Sequence, residues 1–434
     1  MRAAWYDQQG PAAQVLEYGE LPDPVPGPGE VRVRVRFSGV NPGDTKNRRG
    51  WTGSAMPFPR VIPHSDAAGV IDAVGQGVDP IRVGSRVWVY GAQSYRPFGT
   101  AADFTVVPTE LAVDLPDNVP DEVGACLGIP GITAHRAVFG DGPVSGTSVL
   151  VHGVRGGVGA LAAQLANWGG ADVIGTVRRG DQLRQPRLPY PVIALDHPDP
   201  AGQIRAHAPG GVDRVVEVSF SDNVDLDAAV ARVGTVIAAY ATGVDRPGFP
   251  FWPMLFDNIT IRLLGSDDFP AAAKQQAAAD LSTAAATGAM SIAIGSPFPL
   301  QRIAQAHERV DAGTGDRPWS ASVPDARRPP RLTGRVPGRS DAGSRRRGSP
   351  PESSLLGWVL PDQTVDGLAE QVDMSDVAGV LVVQVDQHPP SIGHPARVEE
   401  EHHRPVEPPV GNHLVDRGTA PRRGLAPHPV ELLR

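Results

Sequence analysis

The residues best suited to chemistry form one glycine-rich run, Gly153-Val154-Arg155-Gly156-Gly157-Val158-Gly159. It is entered from the apolar Val149-Leu150-Val151-His152 and left through Ala160-Leu161-Ala162-Ala163-Gln164-Leu165-Ala166. Glycines let the backbone turn sharply and approach a pyrophosphate, while the following helix offers free N–H groups and a positive dipole end. Alone, such a run says little. Set between a strand and a helix, with a further strand at Asp172 to Val177, it predicts a nucleotide site in which Gly153, Gly156, Gly157, Val158 and Gly159 meet the phosphates. The plainer reading is a structural strand, turn and helix. Where an acid would bind the adenine ribose of NAD, the second strand instead ends Thr176-Val177-Arg178-Arg179. Two guanidiniums suit a 2′-phosphate, so NADPH is expected, with Thr176, Arg178 and Arg179 in contact and Arg178 favoured. Against this stands the ordinary alternative of solvated surface arginines.

The elements that must position this turn are regular as far as residue 317. Residues 1 to 120 hold short β-rich runs broken by Gly and Pro, and Val31-Arg32-Val33-Arg34-Val35-Arg36-Phe37 alternates as a strand with one wet face does. From about residue 121, helix and strand alternate. Strands are expected at Ser148 to His152, Asp172 to Val177, Val192 to Leu195, Arg214 to Val218 and Thr235 to Ala239, with a helix from Val158 to Trp168. That alternation predicts an α/β fold with a doubly wound parallel sheet.

Composition sets the outer bounds. The chain has 434 residues, 41% hydrophobic and 20% charged, with a net charge of -8. No apolar run reaches the roughly 18 residues of a membrane span, and Asp7 interrupts the first ten residues, so a soluble cytoplasmic protein is expected. The acidic balance argues against a dedicated nucleic-acid binder. The single cysteine, Cys126, excludes an internal disulfide and any multi-cysteine zinc site, and it reads as a buried apolar residue rather than a nucleophile. Lys46 and Lys274 are the only lysines, so nearly all cationic charge is arginine.

Residues 1 to 317 resemble the zinc-free quinone oxidoreductases, zeta-crystallin type, of the medium-chain dehydrogenase/reductase superfamily. The resemblance is carried by Ser38-Gly39-Val40-Asn41-Pro42-Gly43-Asp44-Thr45, by Ser65-Asp66-Ala67-Ala68-Gly69-Val70-Ile71 through Val74-Gly75, and by Gly128-Ile129-Pro130-Gly131-Ile132-Thr133-Ala134. The glycine-rich turn and Ile294 to Leu300 with Ala306-His307-Glu308 complete it. It implies a Rossmann domain (121–265) inserted in a GroES-like β-rich catalytic domain (1–120, resuming at 266–317), with NADPH and substrate between them and a homodimer as assembly. It also implies Asn41 and Thr133 near the nicotinamide, Asp44 close by, and Asn223, Ala239, Tyr240 and Ala241 along the cofactor. Trp51 or Tyr95 would stack on a planar substrate. Each has a plainer reading: Asn41 a turn cap, Asp44 a helix cap, Trp51 simple packing.

No metal is expected. Zinc relatives have a cysteine where Asn41 stands, and alignment on the downstream glycine puts Ser65 at the histidine's place and Asp66 at the acid's, with His64 one residue out of register. The remaining donors do not make a catalytic zinc site. The resemblance therefore implies NADPH-dependent reduction of quinones or related conjugated carbonyls. The alternatives are an enone or enoyl-thioester reductase on the same scaffold, and a non-catalytic protein, crystallin-like, binding NADPH or single-stranded nucleic acid.

Beyond residue 317 the composition changes. Every Phe and Tyr lies before that point, and only Trp319 and Trp358 follow. The stretch Arg317 to Glu352 is rich in Pro, Arg, Gly and Ser and reads as disordered. Relatives close with a strand of the type Gly-Lys-Val-Val-Leu just where this chain departs into Pro318-Trp319-Ser320. If Ser320 is a TCN codon, reading from the third base of the Pro318 codon yields Leu, Met or Val followed by Val. We therefore read residues 318–434 as a disordered, out-of-frame tail; the absent strand exposes a sheet edge unless the tail substitutes for it. The alternative is an evolved extension. Val380 to Val385 stands out in it as an isolated apolar run.

Overall fold

The computed structural model describes residues 1–312, apart from 54, 185 and 186, together with residues 381–385. Two sheets position the site, and a short antiparallel ribbon of β1 (Arg2–Trp5) and β2 (Glu17–Glu20) lies beside them.

The first sheet is built from β3 (Glu30–Val40), β4 (Asp66–Val74), β5 (Arg86–Val89), β6 (Phe104–Pro108) and β7 (Ala112–Asp114), and its order at one end is β3-β4-β5-β7. The alternation in β3 works as its sequence implies. Val31, Val33 and Val35 are fully buried, while the Arg32 and Arg34 guanidiniums lie over the Phe104 ring.

The second sheet runs entirely parallel. Its strands are β8 (Ser148–Val151), β9 (Asp172–Val177), β10 (Val192–Ala194), β11 (Val212–Glu217), β12 (Ala231–Ala239) and β13 (Thr260–Leu263), in the spatial order β10-β9-β8-β11-β12-β13. That is the 3-2-1-4-5-6 order of a Rossmann sheet, whose switch point between β8 and β11 is where such sheets bind dinucleotides. Helices Ile129–Phe139 and Gly157–Trp168 pack on it, and one apolar core runs from Trp88 of the first sheet to Val149 and Val151 of the second. Five of the six strands fall where the sequence places them, within about four residues of the expected ends.

The bare sheet edge expected from the sequence is not bare. Strand β15 (Leu381–Gln384) lies between β3 and the two-residue β14 (Phe298–Pro299). It is antiparallel to β3, with Leu381 opposite Val40 and Gln384 opposite Phe37. Successive side chains of a strand point to opposite faces. Val382 accordingly enters the core shared with the parallel sheet, while Val383 and Val385 enter the core of the first sheet, all three buried. The isolated apolar run can fill this slot because both faces of the slot are apolar. The rest of the tail lies outside the described residues.

Candidate active site and cofactor turn

Asn41 follows Val40, the last residue of β3, and caps the N-terminus of the helix Pro42–Arg49. Its main-chain N–H donates to Asp44 Oδ2 at 2.7 Å, so Asp44 closes a capping box as its plainer reading implied. The Asn41 side-chain Nδ2 donates to Asp66 Oδ2 at 2.6 Å. Asp66, at the start of β4, also accepts the Ile129 N–H on both carboxylate oxygens at 2.9 Å, at the N-terminus of helix Ile129–Phe139. One turn on, Thr133 Oγ1 donates to the Ile129 carbonyl at 2.7 Å, which leaves its lone pairs as what it can offer a ligand. Asn41, Asp44 and Thr133 are thus brought together by two residues that sequence reading gave no catalytic role, Asp66 and Ile129. Burial, partly offset by the Asn41 and Ile129 hydrogen bonds, lifts the Asp66 carboxyl to about 7. Burial likewise raises Asp44 well above the usual range, with Asp66 and Asp267 adding to it.

Behind this cluster runs a buried hydrogen-bonded chain. Arg48 Nε donates to His307 Nδ1 at 3.4 Å, and the two histidines meet Nε2 to Nε2 at 2.9 Å. His64 Nδ1 then lies 2.8 Å from Ser38 Oγ, which is 2.7 Å from Thr100 Oγ1, which donates to the Asp66 carbonyl at 2.7 Å. A guanidinium only donates and a carbonyl only accepts, so the two ends fix every proton between them. His307 carries its proton on Nε2 and His64 on Nδ1, both neutral. Burial drives His64 well below its ordinary value and lowers His307 to about 3. His64 also adopts φ 77°, a strained conformation for a side-chain-bearing residue. Its ring nitrogens are both taken, so it offers no lone pair to a metal.

The two aromatic candidates lie nearer the surface. Trp51 is exposed and has the Lys46 ammonium 4.5 Å over its ring. Tyr95 is exposed, with its hydroxyl donating to Asp268 Oδ2 at 2.7 Å.

In the parallel sheet, the glycine-rich turn joins β8 to the helix Gly157–Trp168, with Gly156 at its N-cap. Gly153 has φ 67°, and a Cβ on Gly159 would stand 2.2 Å from the Gly153 carbonyl oxygen, so both positions need glycine. Val158 follows Gly157 in the first turn. At the end of β9, Arg179 pairs with Asp181 at 2.8 Å. Arg178 is exposed and has no ion-pair partner among the described residues. Thr176 is buried, with Oγ1 2.8 Å from His152 Nδ1. His152 Nε2 lies 2.8 Å from Asp227 Oδ1 and 3.5 Å from Glu217 Oε2, and Asn223 donates to Glu217 Oε1 at 3.0 Å. Asn223 therefore sits within helix Phe220–Val230, tied to the end of β11. Tyr240 donates its main-chain N–H to the Glu217 carbonyl at 3.1 Å; it follows Ala239, the last residue of β12, and the Ala241 carbonyl accepts from Phe220. The His152, Glu217 and Asp227 donors are of metal-binding type and fully buried. The 2.8 Å separation is a hydrogen-bond length, shorter than the roughly 3.3 Å between two ligands on one tetrahedral zinc.

Residues 27–117 match the alcohol dehydrogenase GroES-like domain. Human quinone oxidoreductase is 32% identical over 324 residues, which cover 70% of this chain and 94% of the human one. The chain belongs to the quinone oxidoreductases of the medium-chain dehydrogenase/reductase superfamily.

Solved relatives share its fold. A mycobacterial structure described as complexed with NADPH is 28% identical with a TM-score of 0.61, and an NAD-dependent alcohol dehydrogenase is 26% identical with a TM-score of 0.64. Each covers 72% of this chain and 96% of its own. Cofactor preference thus varies among neighbours of one fold.

Proposed function

We propose that this chain catalyses NADPH-dependent, metal-free reduction of quinones or related conjugated carbonyls. The observation that carries the reading is the pairing of a glycine turn shaped for a dinucleotide with an exposed guanidinium at the end of β9, Arg178, which has no ion-pair partner among the described residues. Gly153, Gly156, Gly157, Val158 and Gly159 would cradle the pyrophosphate. Thr176 and Arg178 would take the adenosine end, Arg179 assisting from its pair with Asp181. Asn223, Ala239, Tyr240 and Ala241 would line the path of the nicotinamide ribose. When bound, NADPH supplies the hydride from C4 of its nicotinamide.

The protein's own part is positioning. Asn41 and Thr133, held by Asp66 and Ile129, face the reacting end, and Asp44 fixes the backbone of Asn41. A hydroquinone anion is a weak base, so orientation and hydrogen bonding supply most of the assistance required. Trp51 and Tyr95 would flank a planar substrate from the exposed side. We further propose the domain division 1–120, 121–265 and 266–317, a homodimer, and a cytoplasmic location. No helix among the described residues is long and apolar enough to cross a membrane.

Steady-state NADPH oxidation against a panel of benzoquinones, naphthoquinones, enones and enoyl thioesters tests this. Saturable turnover with quinones is expected. NADPH binding without turnover on any of them would instead favour a non-catalytic protein.

A further inference from the structure

Asn41 is gripped at two points by two buried aspartates. Asp44 holds its backbone N–H and Asp66 holds its amide, and the amide can meet Asp66 by either of its two ends. The two ends differ in kind: Oδ1 accepts and Nδ2 donates. An ionised Asp66 is acceptor-only and must be met by Nδ2, as in the structure, which turns Oδ1 away. A protonated Asp66 offers an O–H on the oxygen now facing Asn41 and keeps its other oxygen for the Ile129 N–H. Oδ1 can then meet Asp66, and both N–H groups of Asn41 turn outward.

We propose that Asp66 is a positioning residue that selects which end of the Asn41 amide faces the substrate, and that the donor-outward arrangement receives the quinone oxygen as it gains negative charge. This rests on the placement of Asn41 at the reacting end given above. The groups around Asp66 make both states accessible. Asp44 on the following helix, Asp267 in the turn Ser266–Asp268 and the Cys126 thiol act with it, and none of them is a cation. The N-terminus of helix Ile129–Phe139 supports the charged form against them. Burial and Asp267 leave the carboxyl titrating at about 7.

The switch is read in two ways. In the cofactor-free protein, the side-chain amide NMR signals of Asn41, assigned by their loss in Asn41→Ala, should titrate with a midpoint near pH 7. They should stay fixed in Asp66→Asn, whose amide can only hold Asn41 in the donor-outward state while Ile129 keeps its acceptor. In steady state with NADPH and 1,4-benzoquinone, wild-type kcat/KM should fall about tenfold per pH unit above 7, while Asp66→Asn stays flat to pH 9 with its NADPH Kd within about twofold of wild type. Asn41 signals that do not move between pH 5.5 and 8.5 in the wild type overturn the switch even if Asp66→Asn fails to fold. A titrating amide with no quinone turnover would leave the switch standing and remove the proposed substrate. Turnover with a fixed amide does the reverse.

Discussion

At the scale of single residues, the cofactor phosphate is the sharpest discriminator. Arg178 is exposed and has no ion-pair partner among the described residues, whereas Arg179 is already engaged by Asp181. A charge-assisted hydrogen bond to a phosphate is worth about 1.5–3 kcal/mol. Arg178→Ala should therefore raise the KM for NADPH roughly tenfold to a hundredfold and leave that for NADH within about twofold; equal changes for both would remove the phosphate assignment. His307 supplies a second residue-level prediction. Its imidazole titrates at about 3 when folded, below the ordinary 6.5, because it is buried and faces Arg48. The folded state therefore binds fewer protons than the unfolded state between these values. The stabilising contribution is complete above about pH 6.5 and declines as pH falls towards 3, at roughly 1.4 kcal/mol per pH unit. Urea unfolding of wild type and His307→Asn at pH 5, 6 and 7 checks this: the wild type should lose stability on acidification faster than the variant, and parallel curves would contradict it. Neither His64 nor His307 was legible as a pair, since 243 residues separate them. Asp66 was legible only as a register mark, because the SDAAG run shows no hint that Asn41 and Ile129 both bind its carboxylate.

At the scale of elements, legibility followed burial. The strands β8, β9, β11 and β12 are flanked on both faces, so their apolar runs stand out in the sequence. Strand β13 was not anticipated: it is an edge strand of four residues, Thr260–Leu263, none of them buried, and it follows an aromatic-rich helix, Phe251–Phe256, whose pattern masks it. The turn after β8 shows how closely the elements depend on each other. Gly159 must pass the Gly153 carbonyl without a Cβ, and His152 just before the turn is pinned by Thr176 on one side and Asp227 on the other. Gly159→Ala forces the helix away from the turn, an overpacking cost of about 1–3 kcal/mol. It should lower the melting temperature by several degrees and weaken NADPH about tenfold or more, as read by the enhancement of NADPH fluorescence on binding. Unchanged affinity would mean that the phosphates do not rest on this turn.

At the scale of the whole molecule, the question is what closes the first sheet. The departure at Pro318 from the closing strand of the relatives implies a missing final strand, and the reading of an out-of-frame tail follows from it. In the fold, a segment more than sixty residues further along the chain occupies that place. Leu381–Gln384 pairs with Phe37–Val40, directly before Asn41, and Val385 continues the pairing through its N–H to the Arg36 carbonyl. The site and the tail are therefore coupled: without β15, Ser38 would lie on an open edge, and Ser38 belongs to the hydrogen-bonded chain that ends at Asp66. Burying three valines is worth about 1.5–3 kcal/mol each, a sum comparable with the 5–15 kcal/mol that holds a typical domain folded. A chain ending at residue 312 should therefore melt well below the full-length protein and aggregate through the exposed edge. One ending at 387 should match the full-length chain in melting temperature and in NADPH binding. Val383→Asp, which places a charge in the core of the first sheet, should reproduce the short truncation within the full-length chain. If all these forms melt alike, the strand contributes nothing and the out-of-frame reading of the tail stands. If the short form and Val383→Asp fail while the 387 form holds, then at least residues 381–385 act as part of the fold, whatever reading frame produced them.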